Sequence, residues 1–246
     1  MDAQPIIRTS HVKANGYNFT YLEAGTGPMI IFLHGFPDNP YSFKSQIIEL
    51  AKAGYHCVAP YKRGFTPGDT IVNPIQHSSL YTQDVLTLID SFNEKQVILV
   101  GHDWGAGAAY GVAQVAPEKV KAMITMAIPL SAAFFASYTN NLNQVKRSWY
   151  LFFFQSSYAI DAFKNNDYAM IDTLWRDWCP GWKNYSDHLK SVKETFRKSG
   201  SAESAINYYR QSFGNYTLTD PSLLKIQNAF SAGKPFSVPT LYLHGQ

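Results

Sequence analysis

The chain has 246 residues, 46% of them apolar and 16% charged, which excludes a disordered, collagen-like or coiled-coil protein. Lys and Arg total 21 against 18 Asp and Glu, a formal charge of +3, and the basic residues are scattered, so nucleic acid is not an expected partner. Cys57 and Cys179 are the only cysteines, too few for a disulfide scaffold or a four-cysteine metal site, and a reducing compartment, the cytoplasm, is expected. Met1 to Ser10 lacks the apolar stretch of a signal peptide. No run reaches the about 18 apolar residues of a membrane span. Aromatic residues make up 15%, with 16 Tyr, 16 Phe and 5 Trp, and suggest an apolar cavity lined by rings.

In chain order, Tyr17 to Leu22 alternates and predicts an outer antiparallel strand. Met29 to Leu33, Cys57 to Ala59, Val97 to Val100 and Val120 to Ala127 are unbroken apolar runs stopped by Gly or Pro. Such runs predict parallel strands covered on both faces. Helical patterns separate them: Phe43, Ile47, Ile48 and Leu50 share a face, as do Leu80, Val85, Leu88, Ile89 and Phe92, and Gly105 to Ala116 is rich in Ala. The series predicts an α/β fold with a mostly parallel, doubly wound sheet over residues 1–130. From Ser131 to Ala232 the Val and Ile runs disappear and aromatic, helix-period segments follow, broken at Cys179-Pro180-Gly181 and at Gly200. Residues 131–232 are expected to form a helical insertion. Val238 to Leu243 returns to strand character, so residues 233–246 rejoin the sheet.

The segment Val97-Ile-Leu-Val-Gly101-His102-Asp103-Trp104-Gly105 reads as strand, turn, helix. Small residues on either side of a central nucleophile let the chain turn sharply at the end of a strand, with the nucleophile facing the site. Here the nucleophile is a carboxylate, Asp103, which attacks sp³ carbon and forms an ester that water later hydrolyses. The plain alternative is that Asp103 caps the following helix. A dinucleotide-binding loop fits poorly, because Gly105-Ala-Gly107-Ala-Ala-Tyr110 lacks its third small residue. A second motif, His34-Gly35-Phe36-Pro37, follows the first buried strand. Its loop is expected beside the Asp103 turn, where the N–H groups of Phe36 and Trp104 would form an oxyanion hole. His34 is read as holding loop geometry by hydrogen bonds.

Together these motifs resemble the α/β-hydrolase superfamily, and within it the aspartate-nucleophile branch of epoxide hydrolases and haloalkane dehalogenases. The resemblance runs from about Tyr17 to Gln246. It implies an α/β-hydrolase fold with a helical cap inserted after the sixth strand. Trp175-Arg-Asp-Trp178-Cys-Pro-Gly-Trp182 resembles a cap motif of epoxide hydrolases, with Cys179 where that motif has Ser. The cap segments around Tyr150 and around Tyr208-Tyr209-Arg210 resemble those that carry the two ring-opening tyrosines, which implies Tyr150 and Tyr209 as donors to the epoxide oxygen. Phe36 stands where many dehalogenases carry a halide-binding Asn. The expected substrate is a small apolar or aromatic epoxide, with water as second reactant and neither cofactor nor metal. The alternatives are a haloalkane or haloacid dehalogenase-type hydrolase, or an inactive fragment.

The family completes its site with an acid and a His beyond the seventh strand, and the sequence given stops at Leu243-His244-Gly245-Gln246. The reading is of a truncated hydrolase, with His188 the least unsuitable substitute for the base. Surface uncovered in this way is expected to favour self-association.

Overall fold

Three of the apolar runs become the centre of a mixed sheet. The structure, a computed structural model, describes residues 5–66, 75–232, 235 and 237–245. The strands are β1 (Arg8–Ala14), β2 (Tyr17–Ala24), β3 (Met29–Leu33), β4 (His56–Pro60), β5 (Val97–His102), β6 (Val120–Met126) and β7 (Thr240–Leu243). Among the described residues they form a 7-stranded sheet in the order β1-β2-β4-β3-β5-β6-β7. β4, β3, β5, β6 and β7 run parallel, and β2 is antiparallel to both its neighbours. Tyr17 to Leu22 is therefore antiparallel but not outermost. The edge is β1, a strand the sequence reading did not anticipate. Its residues are mostly exposed or half-buried, so it carries no apolar run to betray it.

β3 is buried at every position, and its side chains divide by face. Ile30 and Phe32 pack with Phe43 and Ile47 on the side of α1 (Lys44–Lys52). Ile31 and Leu33 pack with Val85, Ala109 and Val112 on the side of α2 (Ser78–Ser91) and α3 (Trp104–Val115). Two-sided cover is why these strands read as continuous apolar runs. The closest approach is between α3 and β3. A Cβ at Gly105 would strike the Leu33 carbonyl, and one at Gly101 would strike the Gly105 carbonyl. Leu33 pairs with Gly101, so β3 and β5 end side by side and deliver their loops to one place.

Between β6 and β7 lie α4 (Ser131–Asn140), α5 (Leu142–Arg147), α6 (Trp149–Phe153), α7 (Ala159–Trp178), α8 (Ser186–Phe196), α9 (Ser201–Phe213) and α10 (Pro221–Ser231). Their second core includes Leu151, Phe154, Phe163, Ile171, Val192, Phe196 and Tyr209, with Phe36 and Phe65 reaching in from the sheet loops. α10 packs instead on α2, through Leu80, Leu223 and Ile226. No helix among the described residues is long and apolar enough to cross a membrane.

Two substitutions separate close packing from open space on α3. Gly105→Ala should destabilise by about 1–3 kcal/mol, because backbone has to move. Gly107→Ala meets nothing within 4 Å. It should stabilise by about 0.5–1 kcal/mol through helix propensity. Denaturant midpoints of the two variants give the check, and equal effects would contradict the packing described.

Candidate active site

Asp103 sits at the junction of β5 and α3 with φ 54° and ψ −122°. A non-glycine residue with positive φ is uncommon, and strain of this kind gathers at functional sites. The turn is held from both ends. Asp103 N–H donates to the Met126 carbonyl (3.3 Å), and the Asp103 carbonyl accepts from Ala106 N–H (2.9 Å) and Gly107 N–H (3.2 Å). The Asp103 side chain makes no capping bond to α3, which removes the plain helix-cap reading. Its Oδ1 instead accepts from Phe36 N–H at 2.9 Å, and the Trp104 N–H is near enough to lower the carboxylate pKa. Gly35 allows this approach, since a Cβ there would collide with the Asp103 carboxylate. Burial raises the Asp103 pKa above the usual carboxylate range, while nearby His102 and the two N–H donors pull it back.

Asp103 faces a cavity of ≈ 140 Å³ that Trp104, Tyr150, Tyr208 and Tyr209 also line. The Tyr150 and Tyr209 rings stand 5.7 Å apart at 86°. Both hydroxyls have pKa values well above the ordinary phenol value, first because of burial and then because of the Asp103 charge. They remain protonated donors at neutral pH. The Tyr209 hydroxyl is buried and makes no hydrogen bond of good geometry, though the Trp104 indole lies near enough to lower its pKa slightly. The Trp104 Nε1–H is likewise unpaired. Unsatisfied buried polar groups cost about 1–3 kcal/mol each, so a ligand that bonds them recovers that cost. Arg210 explains why the two tyrosines meet. Its guanidinium donates to the Phe154 carbonyl (2.9 Å) and the Ser156 carbonyl (2.6 Å), tying α9 to the end of α6.

His34 is fully buried and fully engaged. Its Nε2 accepts from Lys62 N–H at 2.9 Å, so its proton is on Nδ1, which faces the Gly35 carbonyl at 2.9 Å. Burial pushes its pKa down to about 4. It fixes the loop and moves no proton. Pro37 contributes its carbonyl, which accepts from Trp175 Nε1–H at 2.9 Å. His102, half-buried, ends β5. His188 does not line the cavity: its Nε2 pairs with Asp38 Oδ1 at 2.9 Å and its ring stacks on Trp182. The histidine that does line the cavity, among the described residues, is His77. Its Nδ1 accepts from Ser79 N–H at 3.1 Å as the cap of α2, which leaves the ring proton on Nε2. No group of three or more His, Cys, Asp or Glu among the described residues is placed to hold a metal ion.

Two charged residues at the site escaped the sequence reading. Asp38 directly follows the His-Gly-Phe-Pro motif and joins it to α8 through His188. Lys62 directly precedes Arg63 after β4, and its Nζ lies 3.6 Å from the centre of the Tyr208 ring. Burial lowers the Lys62 pKa to about 7, against the opposing pull of Asp84 and, more weakly, Asp103. Position in the motif was the available signal for Asp38. Nothing local marked Lys62 as buried.

A carboxylate on a strained strand-to-helix turn, with backbone N–H donors beside it and a helical layer above, defines the α/β-hydrolase architecture. The chain belongs to that family: residues 28–246 match the alpha/beta hydrolase fold profile. Among relatives, the AB hydrolase superfamily protein YfhM of Bacillus subtilis (strain 168) is 30% identical over 210 residues, covering 83% of this chain and 73% of that protein. Epoxide hydrolase 3 of Mus musculus is 30% identical over 242 residues, covering 96% of this chain and 62% of that protein. The match covers only 38% of an epoxide hydrolase of Caballeronia sordidicola and 39% of epoxide hydrolase 2 of Siraitia grosvenorii, about two fifths of each. Among solved structures, epoxide hydrolase VrEH1 of Vigna radiata superposes with a TM-score of 0.76 at 25% identity, covering 97% of this chain and 79% of that one. A Klebsiella pneumoniae protein agrees in fold, with a TM-score of 0.87 at 23% identity and coverage of 97% and 80%.

The His34 tautomer has a measurable consequence. Its pKa is about 4 in the folded chain against 6.5 ordinarily, so unfolding takes up a proton between those values. The contribution is fully present above pH 6.5 and lost as pH falls toward about 4. It amounts to about 3 kcal/mol. Thermal melts from neutral to acid pH should fall more steeply for the unsubstituted chain than for His34→Gln. Parallel curves would contradict this account.

Proposed function

We propose that this chain is an epoxide hydrolase whose residues carry out ester formation at Asp103. The supporting observation is the Asp103 carboxylate, held at Oδ1 by Phe36 N–H and facing a cavity that Tyr150 and Tyr209 share. Oδ1 is the oxygen that becomes the ester carbonyl, already in its oxyanion hole. Oδ2 attacks one epoxide carbon. The carbon–oxygen bond of the ring breaks, and the departing oxygen takes its electron pair and a proton from a tyrosine hydroxyl. The result is a 2-hydroxyalkyl ester on Asp103 and a tyrosinate that regains its proton from solvent. Release of the diol needs a base to activate water. Among the described residues His77 lines the cavity, but its Nδ1 accepts from Ser79 N–H and its Nε2 carries the ring proton. The names of the relatives support epoxide over halide as the leaving group, and so does Phe36 in place of an Asn.

In the same reading, residues 1–130 are the core, 131–232 the cap and 233–246 the return to the sheet. α10 is the part of the cap anchored on the core. Water and a small epoxide are the reactants, and the cytoplasm is the proposed location. β7 is exposed along its length, with Leu241, Tyr242 and Leu243 uncovered, which supports association of copies through that edge. Sedimentation giving a monomer at every concentration would overturn that point.

Incubation with propylene oxide followed by intact-mass measurement tests the chemistry. One epoxide mass should be added at Asp103, and none in Asp103→Asn. Because burial raises the Asp103 pKa, the rate should fall with acid at a pH above the ordinary carboxylate range. Tyr150→Phe with Tyr209→Phe should slow alkylation by about 10²–10⁴-fold while sparing attack on an alkyl halide. A folded chain that takes up no epoxide would sink the proposal.

A further inference from the structure

The cavity does not end at the nucleophile. Asp103, Gly107 and Tyr110 follow one another at spacings of four and three, which places them on one face of α3. All three line the same cavity. At Gly107 the helix presents bare backbone: a Cβ built there finds no atom within 4 Å. The neighbouring glycines of α3 differ, for a Cβ at Gly105 would strike Leu33 and one at Gly111 would strike Thr82. Ile226 and Phe230 of α10, and Ile128 beyond β6, line the same cavity. The Tyr110 hydroxyl is tied to Thr125 Oγ1 and the Ile128 carbonyl, both at 2.9 Å. Its ring is what remains to bound the far end. Seven residues of helix separate Asp103 from Tyr110, a run of about 10 Å.

We propose that Gly107 determines substrate specificity, and that the groove it opens along α3 takes an extended apolar substituent of the epoxide, up to about 10 Å long. This rests on the reading of Asp103 as the nucleophile. The ring of the epoxide lies between Asp103 and the two tyrosines, and the substituent runs toward Tyr110 under Ile226 and Phe230. Small terminal epoxides leave the groove empty. Longer ones bury their chain there and gain about 0.8 kcal/mol for each methylene removed from water.

The test compares second-order rates of Asp103 alkylation by propylene oxide and by terminal epoxyoctane, read by intact mass. The unsubstituted chain should react faster with epoxyoctane. Gly107→Leu should lower the ratio of the epoxyoctane rate to the propylene oxide rate by at least about ten-fold, within the range that a blocked apolar subsite gives. Gly107→Ala should fall between. If Gly107→Leu does not fold, Ile226→Phe narrows the same groove from α10 and should produce the same selective loss. Equal loss for both epoxides, no loss for the longer one, or no preference for it in the unsubstituted chain would overturn the inference. Failure of both epoxides to alkylate the unsubstituted chain would instead overturn the reading of Asp103 on which it rests.

Discussion

The turn at Asp103 is possible because three backbones touch around it. Gly105 lets α3 press on the Leu33 carbonyl, Gly101 lets β5 pass under Gly105, and Gly35 lets the next loop reach the carboxylate. A side chain at Gly105 would push α3 off β3, one at Gly101 would strike the start of α3, and one at Gly35 would strike the Asp103 carboxylate. The φ of 54° at Asp103 is strain that such contacts must sustain. The return on that strain is direction. The carboxylate leaves the helix-cap position and points to the Phe36 N–H, which fixes its orientation in the cavity.

The loop from His34 to Asn39 then joins the two cores. Its backbone serves Asp103, and its side chains and carbonyls serve the helical layer. The Phe36 ring packs against Phe154 (5.5 Å) and Tyr209 (5.2 Å), and the Pro37 carbonyl accepts from Trp175. Asp38 pairs with His188 and bonds Ser42, and Asn39 donates to Ser191 (2.9 Å) and Thr195 (3.2 Å). His34 anchors the other side through Lys62 N–H. Phe36 of this loop thus touches Tyr209 with its ring and donates its N–H to the Asp103 carboxylate. Movement of the helical layer and movement of the donor are mechanically coupled.

The fold and the sharp turn at Asp103 were legible in the sequence because both depend on local order. Continuous Val and Ile runs report two-sided burial, and glycines on each side of Asp103 report close contact. β1 was not legible, since an edge strand with exposed side chains has no apolar period. The break in α7 was hidden as well. Asn165 leaves helical geometry and Asn166, Asp167 and Tyr168 adopt positive φ, with no Gly or Pro to announce it. Asn and Asp tolerate that region, and the Arg197 guanidinium grips Asp167 from α8 across 30 residues of sequence. The roles of Asp38 and Lys62 are likewise products of tertiary contact.

The competition between Tyr208 and Tyr209 shows how one helix separates two duties. Adjacent residues of α9 point about 100° apart. Both rings pack on Trp104, at 4.2 Å and 5.0 Å, so the indole is the hinge between them. Tyr208 turns toward α2, where Lys62 sits on its face and Tyr81 and Asp84 share a small cavity with it. The Lys62 amine, its pKa lowered to about 7 by burial, rests there against the ring faces of Phe65 and Tyr208. Tyr209 turns toward Tyr150, and its hydroxyl is left unpaired. Tyr208 is packed between Lys62 and Trp104, while Tyr209 lines the cavity with Asp103.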